Sequence, residues 1–274
     1  MPCLDSPLRV VATAILVLAF TGKLRAEEAP VGPTSSEAAR HCIEAIVAAA
    51  EANEARPAAA PRFSNVPVRL RGDRLTEHYV RRAAAAAAEL PETLAAEAFL
   101  ASLAVGLDDT GLVRGFPLIG ARIAELESHA QRQRRTGVLG SPTIHGRRDL
   151  CLHFAVSAGL AAWLGPPAAE AAGLAKEVLD AQRESGFSFA DLAANTAGIE
   201  FARGVLDGRL ALPDIAQSFR IADYVPAVRG LPEGIAWTRF QEEFGSLTGE
   251  RFRSRHDAIR ERVLALPGHR DDSR

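Results

Sequence analysis

Several residue types and motifs are scarce or missing in this chain of 274 residues. It has no Cys-x-x-Cys pair, no His-Glu-x-x-His and neither glycine-rich nucleotide-binding pattern, so redox, zinc-protease and nucleotide-binding functions lose their usual sequence signs. Tyr and Trp number only two each, whereas alanine forms runs such as residues 83–88, and this composition favours helix over strand. We therefore predict an all-α protein, an irregular bundle of about eight to ten helices around a central three-helix unit.

The charge balance excludes a general attraction to nucleic acid. The formal net charge is −2, with 47% hydrophobic and 24% charged residues, which is the balance of a globular protein. Without residues 1–26 the charge would be about −4, so the chain has no basic surplus with which to bind phosphates.

The first 26 residues have the pattern of a secretory signal peptide. Arg9 precedes an apolar run over residues 10–20, and Ala26 is a suitable cleavage residue, although Lys23 and Arg25 after the run weaken the pattern. The alternative is an uncleaved anchor, but the run is about half of the roughly 20 residues that a spanning helix needs. We expect an exported protein, periplasmic or extracellular.

Cysteine usage leaves one question open in that compartment. Cys3 is not placed after the apolar run, where a lipid-modified cysteine would have to be, so a lipoprotein is disfavoured. Cys42 and Cys151 would remain, either as a disulfide or as two buried thiols.

Composition and periodicity divide the rest of the chain into segments. Residues 27–72 form a Pro/Ala-rich N-terminal arm with one helix over about 36–52. Residues 73–266 form a helical domain, with one helix at 118–134 whose basic end, residues 131–135, is predicted to be a solvated face. The central unit, 147–208, contains helices at 147–164, 167–182 and 188–206, and residues 267–274 are predicted to be a disordered tail.

Pairs of polar residues at one-turn spacing occur on the three central helices. Side chains three or four positions apart share a helix face, and these faces otherwise carry small or apolar residues, so a shared polar cluster is predicted. Each pair also has an ordinary structural explanation: a buried histidine, exposed acids, or an N-terminal cap made by Ser188. The candidate cluster consists of Asp149, His153, Glu177, Asp180, Asp191 and Asn195.

These residues carry a resemblance to a known group of proteins. The order Asp-x-x-x-His-Phe, a small apolar helix, Glu-x-x-Asp, and Gly-Phe-Ser-Phe-x-Asp-Leu-x-Ala-Asn-x-x-Gly over residues 149–198 resembles VanZ-like and related short bacterial envelope proteins. Leu150 stands where that pattern has a lysine, and Phe189 stands where it has a tryptophan. The apolar stretch over residues 154–164 is too short to span a membrane. The resemblance implies an envelope location and the same six site positions, but no activity.

Two functional hypotheses follow. The first is an exported, non-enzymatic helical protein of the bacterial envelope with a structural or partner-binding role, without a cofactor; the partner would be another envelope protein or the membrane surface. The alternative is a metal-dependent periplasmic hydrolase that binds a divalent metal through Asp149, His153, Glu177 and Asp180, with Asp191 orienting these ligands.

Overall fold

The computed structural model describes residues 34–59, 66–115, 119–183 and 185–270. Within those ranges the chain forms twelve α-helices, two 3₁₀ turns and no β-strand, so the predicted all-α fold is confirmed. The helices outnumber the predicted total because several have only one or two turns. In chain order they are α1 (Ser35–Glu54), α2 (Asp73–Ala87), α3 (Glu92–Gly106), α4 (Gly120–Leu126), α5 (His129–Val138), α6 (Arg148–Leu164), α7 (Pro166–Ala181), α8 (Phe189–Leu206), α9 (Leu212–Ser218), α10 (Ile221–Tyr224), α11 (Trp237–Phe244) and α12 (Glu250–Leu264).

No helix in the described part of the chain is both long and apolar enough to cross a bilayer. The predicted signal peptide, residues 1–26, and Cys3 within it lie outside the described residues.

The first helix belongs to the main hydrophobic core and is not a separate arm. Thr34 caps α1 by accepting a hydrogen bond from the Glu37 N–H, and the Glu37 carboxylate accepts one from the Thr34 N–H at 2.8 Å. Helix α1 packs against α2 and α3, and a β-carbon at Gly106 of α3 would lie only 2.6 Å from Ile46 Cδ1. The predicted arm is therefore wrong, because α1 buries a continuous apolar face.

The single helix predicted over 118–134 is two helices. Glu127 has extended backbone dihedral angles after α4, and Ser128 starts α5 with a capping box to Gln131. The basic end is not wholly solvated either, because buried Arg135 makes a two-pronged ion pair with Glu127, with Nε to Oε1 at 2.6 Å. The alternation of glutamine and arginine in the sequence does not indicate that Arg135 pairs with Glu127 in the folded chain.

Helices α6, α7 and α8 pack against one another, and α6 also packs against α3. Gly165 has φ +84° and separates α6 from α7, which starts at Pro166. A β-carbon at Gly198 of α8 would lie 2.2 Å from the Phe154 carbonyl oxygen of α6, so the two backbones touch directly. On the other side of α6, a β-carbon at Gly159 would lie 2.3 Å from Ala104 Cβ. These close approaches fix the rotation of α6 toward α8 on one side and toward α3 on the other.

A second, smaller core closes one end of this unit and is rich in phenylalanine. Phe187 and Phe189, at the start of α8, pack against Phe240 of α11 and Phe252 of α12. The chain remains ordered after α12, since a 3₁₀ turn spans Pro267–His269 and the buried His269 ring contacts the Tyr224 carbonyl oxygen at 2.9 Å. The predicted disordered tail is therefore wrong for residues 267–270, and residues 271–274 lie outside the described part.

The two described cysteines are not joined. Cys42 and Cys151 are both buried free thiols, and burial raises the pKa of each to about 12. They behave as small apolar core residues.

Candidate functional site

Four polar side chains from α6, α7 and α8 meet at the junction of these helices. His153 comes from α6, Glu177 from α7, and Asp191 and Asn195 from successive turns of α8. His153, Glu177 and Asn195 are buried, and the Asp191 side chain is 14% exposed. The cluster therefore has a closed interior and one side, at Asp191, that faces solvent.

The start of α8 departs from an ordinary capping box in a way that builds the site. Ser188 Oγ accepts a hydrogen bond from the Asp191 N–H at 3.1 Å, as the sequence predicts. In a complete box the Asp191 carboxylate would accept the Ser188 N–H in return. Instead, Glu177 Oε2 of α7 accepts that N–H at 3.0 Å, which leaves both Asp191 oxygens available for other contacts.

Asn195 fixes the orientation of the His153 ring. Asn195 Oδ1 accepts a hydrogen bond from Ser157 Oγ at 2.8 Å and contacts His153 Nδ1 at 3.0 Å. Because an amide oxygen only accepts, a hydrogen bond at this contact requires the His153 proton to be on Nδ1. The lone pair of a neutral ring is then on Nε2, which faces Asp191 Oδ2 at 3.5 Å, a separation longer than a normal hydrogen bond.

Three atoms with lone pairs converge as a result. One ligand atom from each of His153, Glu177 and Asp191 lies within 4.8 Å of the others. A zinc ion holds imidazole nitrogen and carboxylate oxygen at about 2.0–2.2 Å in tetrahedral geometry, so its bound ligand atoms lie about 3.3–3.6 Å from one another. The most widely separated of these atoms would have to move together by up to about 1.3 Å to bind such an ion.

Burial dominates the electrostatics of this group. It lowers the pKa of His153 and raises that of Asp191, in each case because the charged form is poorly solvated. Burial, followed by the neighbouring charge of Asp191, raises the pKa of Glu177 to about 8. Glu177 of the metal-free site therefore keeps its proton below about pH 8, and binding a cation there would release that proton.

Two buried atoms of the cluster have no hydrogen-bond partner among the described residues: Glu177 Oε1 and Asn195 Nδ2. The Glu177 side chain is 0% exposed, and its Oε1 lies 3.9 Å from Lys176 Nζ, beyond hydrogen-bonding distance. Asn195 Nδ2 faces α7 at Gly173, where an added β-carbon would lie 3.0 Å away. Most buried polar atoms are paired, so Glu177 Oε1 needs a partner such as a water molecule or a bound ion.

Two of the six predicted residues do not join the cluster. Asp149 is 48% exposed and is bound by Arg147, with Arg147 Nη2 to Asp149 Oδ2 at 2.5 Å. Asp180 is bound by Lys176 of the preceding turn at 2.7 Å. The structure thus brings together His153, Glu177, Asp191 and Asn195. In the set of metal-ligand candidates, Asp191 takes the place of both Asp149 and Asp180. His153 is oriented by Asn195 and not by Asp149.

Sequence reasoning missed two residues that contact the cluster. Ser157 follows His153 by one helical turn, so its place on the same face of α6 could have been inferred from spacing alone. Arg147 precedes α6 and reaches Asp191 Oδ1 at 3.5 Å, a contact for which the sequence has no local sign.

The chain matches no protein-family model, no curated protein and no solved structure.

Proposed function

We propose that this protein is an exported helical protein of the bacterial envelope whose role is to bind a divalent transition-metal cation at the junction of α6, α7 and α8. The observation that supports this is the convergence of His153, Glu177 and Asp191 within 4.8 Å, with Glu177 Oε1 buried and lacking a hydrogen-bond partner among the described residues. One imidazole and two carboxylates suit Zn²⁺ or Mn²⁺ better than they suit Ca²⁺, which takes only oxygen ligands. The resemblance to VanZ-like proteins remains a prediction that agrees with an envelope location.

The contact between Asn195 and His153 supports the same proposal. Metal-binding histidines usually donate their second ring N–H to an oxygen acceptor, which turns the other nitrogen toward the metal. Here Asn195 Oδ1 is that acceptor, and Ser157 holds the amide in place.

Thermal unfolding of the full chain, stripped with a chelator and then given Zn²⁺, tests the proposal. An ion that binds only the folded state stabilises it by about 3 kcal/mol at one hundred times its Kd, which for a chain of this size raises Tm by roughly 5–10 °C. His153→Ala and Asp191→Asn should lose this increment. Asp180→Asn is the matched control, because Asp180 lies outside the cluster, and it should keep the increment.

The contradicting result is a wild-type Tm that neither Zn²⁺ nor Mn²⁺ changes. The cluster would then hold the three helices together without a ligand. His153→Ala would in that case lower the free energy of unfolding by about 1–3 kcal/mol, the cost of leaving buried partners unpaired.

A metal-dependent hydrolase is the second candidate, and the set of three ligand candidates favours it. Three protein ligands leave a coordination position for water or substrate, as in catalytic zinc sites. Hydrolysis of nitrophenyl esters or phosphates by the Zn²⁺-loaded protein, lost in His153→Ala, tests this role. A zinc-loaded protein that hydrolyses none of these substrates would leave metal binding as the function.

A further inference from the structure

The two carboxylate oxygens of Asp191 face opposite ways. Oδ2 faces inward, toward His153 Nε2 at 3.5 Å, and Oδ1 faces outward, toward Arg147 Nη2 at 3.5 Å. A cation in the site would be bound by the carboxylate that this guanidinium also attracts. Arg147 and the metal ion therefore compete for the same ligand.

Arg147 stands at the side of the cluster that solvent reaches. Its side chain is 31% exposed, whereas Glu177 is fully buried and His153 is backed by Ser157 and Asn195. The other nearby cation, Lys176, is held by Asp180 at 2.7 Å and is farther from Glu177 Oε1, at 3.9 Å. An ion that arrives from solvent at Asp191 meets the Arg147 guanidinium first.

Arg147 has two alternative partners outside the cluster. Its Nε and Nη2 contact Asp149, and its Nη1 donates to Glu233 at 2.8 Å, in the segment between α10 and α11. Both acids are more exposed than Asp191, at 48% for Asp149 and 39% for Glu233. The guanidinium can thus leave Asp191 and still be paired with Asp149 and Glu233, so its displacement does not leave a buried charge without a partner.

We infer that Arg147 controls access to the cation site: it occupies the outer oxygen of Asp191 in the metal-free protein and is displaced onto Asp149 and Glu233 when a metal ion binds. This inference rests on the proposed metal-binding function. Arg147 acts by positioning and charge and is not itself a ligand. It makes the site selective for ions that bind strongly enough to displace a guanidinium.

Metal affinity of the full chain carrying Arg147→Gln tests the inference. Removing a positive charge a few ångströms from a divalent ion, and releasing Asp191 from its ion pair, should tighten Zn²⁺ and Co²⁺ binding by about tenfold or more at low salt. The gain should shrink as ionic strength rises, and Co²⁺ should bind faster in stopped-flow absorption. Arg147→Lys keeps the charge and should stay close to wild type.

The neighbouring arginine provides the matched control. Arg148 is exposed and paired with Asp109, away from the cluster, so Arg148→Gln should leave the affinity unchanged. A purely structural Arg147 predicts the opposite result, because loosening the helix ends would weaken metal binding in Arg147→Gln. Equal or weaker binding in Arg147→Gln therefore overturns the inference while leaving the proposed function intact.

A second variant keeps the inference testable if Arg147→Gln fails to fold. Glu233→Gln removes the outer anchor of Arg147, which should turn the guanidinium toward Asp191 and weaken Zn²⁺ binding several-fold. Unchanged or tighter binding in Glu233→Gln would argue against Arg147 as the access residue. If neither wild-type protein nor Arg147→Gln binds Zn²⁺ or Co²⁺, the proposed function fails, and this inference fails with it.

Discussion

Replacing Glu177 with glutamine should remove a pH-dependent loss of stability from the metal-free protein. Burial and the nearby Asp191 raise the pKa of the folded carboxyl to about 8, against an ordinary value of 4.5 in the unfolded chain. Between these values the folded state keeps a proton that the unfolded state has released. The free energy of unfolding therefore falls as the pH rises through this window, and below it the contribution of Glu177 is constant.

In the upper part of this pH range, above the ordinary histidine pKa, the carboxyl groups change the free energy of unfolding and His153 does not. The lowered pKa of His153 has the opposite effect, since its contribution to stability increases with pH up to the ordinary histidine value of 6.5 and is then constant. One pKa unit corresponds to a little over 1 kcal/mol, so Glu177 alone should lower the free energy of unfolding by about 2 kcal/mol between pH 6.5 and 8. Asp191 acts in the same direction but is present in both proteins.

Urea unfolding followed by circular dichroism, with chelator present, measures this difference at the two pH values. The wild type should lose stability between them, and Glu177→Gln should lose markedly less, because the glutamine oxygen still accepts the Ser188 N–H and does not titrate. Asp180→Asn removes a carboxylate from the same helix and should follow the wild type, since Asp180 is half of a partly exposed ion pair. Identical losses in wild type and Glu177→Gln would refute the reasoning.

Two further predictions concern the helix contact and the leader. Gly198→Ala should lower the free energy of unfolding by about 2–3 kcal/mol or more, because the new methyl group would lie 2.2 Å from the Phe154 carbonyl oxygen. Gly137→Ala, whose new methyl group would have no atom within 4 Å, should instead stabilise its helix slightly. Equal effects of the two substitutions in urea unfolding would contradict the packing argument. If residues 1–26 are a signal peptide, mass spectrometry of protein from the native host should find a mature N-terminus near Glu27 outside the cytoplasm, whereas intact Met1 or Pro2 in that fraction would exclude cleavage.

Helical spacing predicts which residues share a face, and this was sufficient for the buried half of the cluster. His153 lies on a face of small and apolar residues, so burying that face brought it into the junction. Spacing does not predict how far each helix is rotated toward its neighbours. Asp180 is one turn from Glu177 but lies toward solvent, where Lys176 of the same helix pairs with it. Gly198 and Gly159 set the rotation of α6, through contacts that no single helix encodes.

Long-range partners were the other limit of sequence reasoning. Arg147 contacts Glu233 across 86 positions of sequence, and only the folded chain brings them together. Arg135 likewise lies in a basic run that is typical of a solvated face, yet Glu127 and two backbone carbonyl oxygens surround it in the interior. Local patterns did predict the three central helices and the cap at Ser188, because a cap is formed by residues close in sequence.

The place where a local rule fails is itself an argument for function. Ser188 and Asp191 have the spacing of a capping box, but Glu177 takes the second bond and leaves the Asp191 carboxylate without its usual partner. A junction selected only for stability would be filled more favourably by apolar side chains than by a histidine and two buried acids. Locally consistent sequences tend to break their own rules at functional sites. The unpaired Glu177 Oε1, judged within the described chain, therefore supports the proposal that this junction binds a ligand.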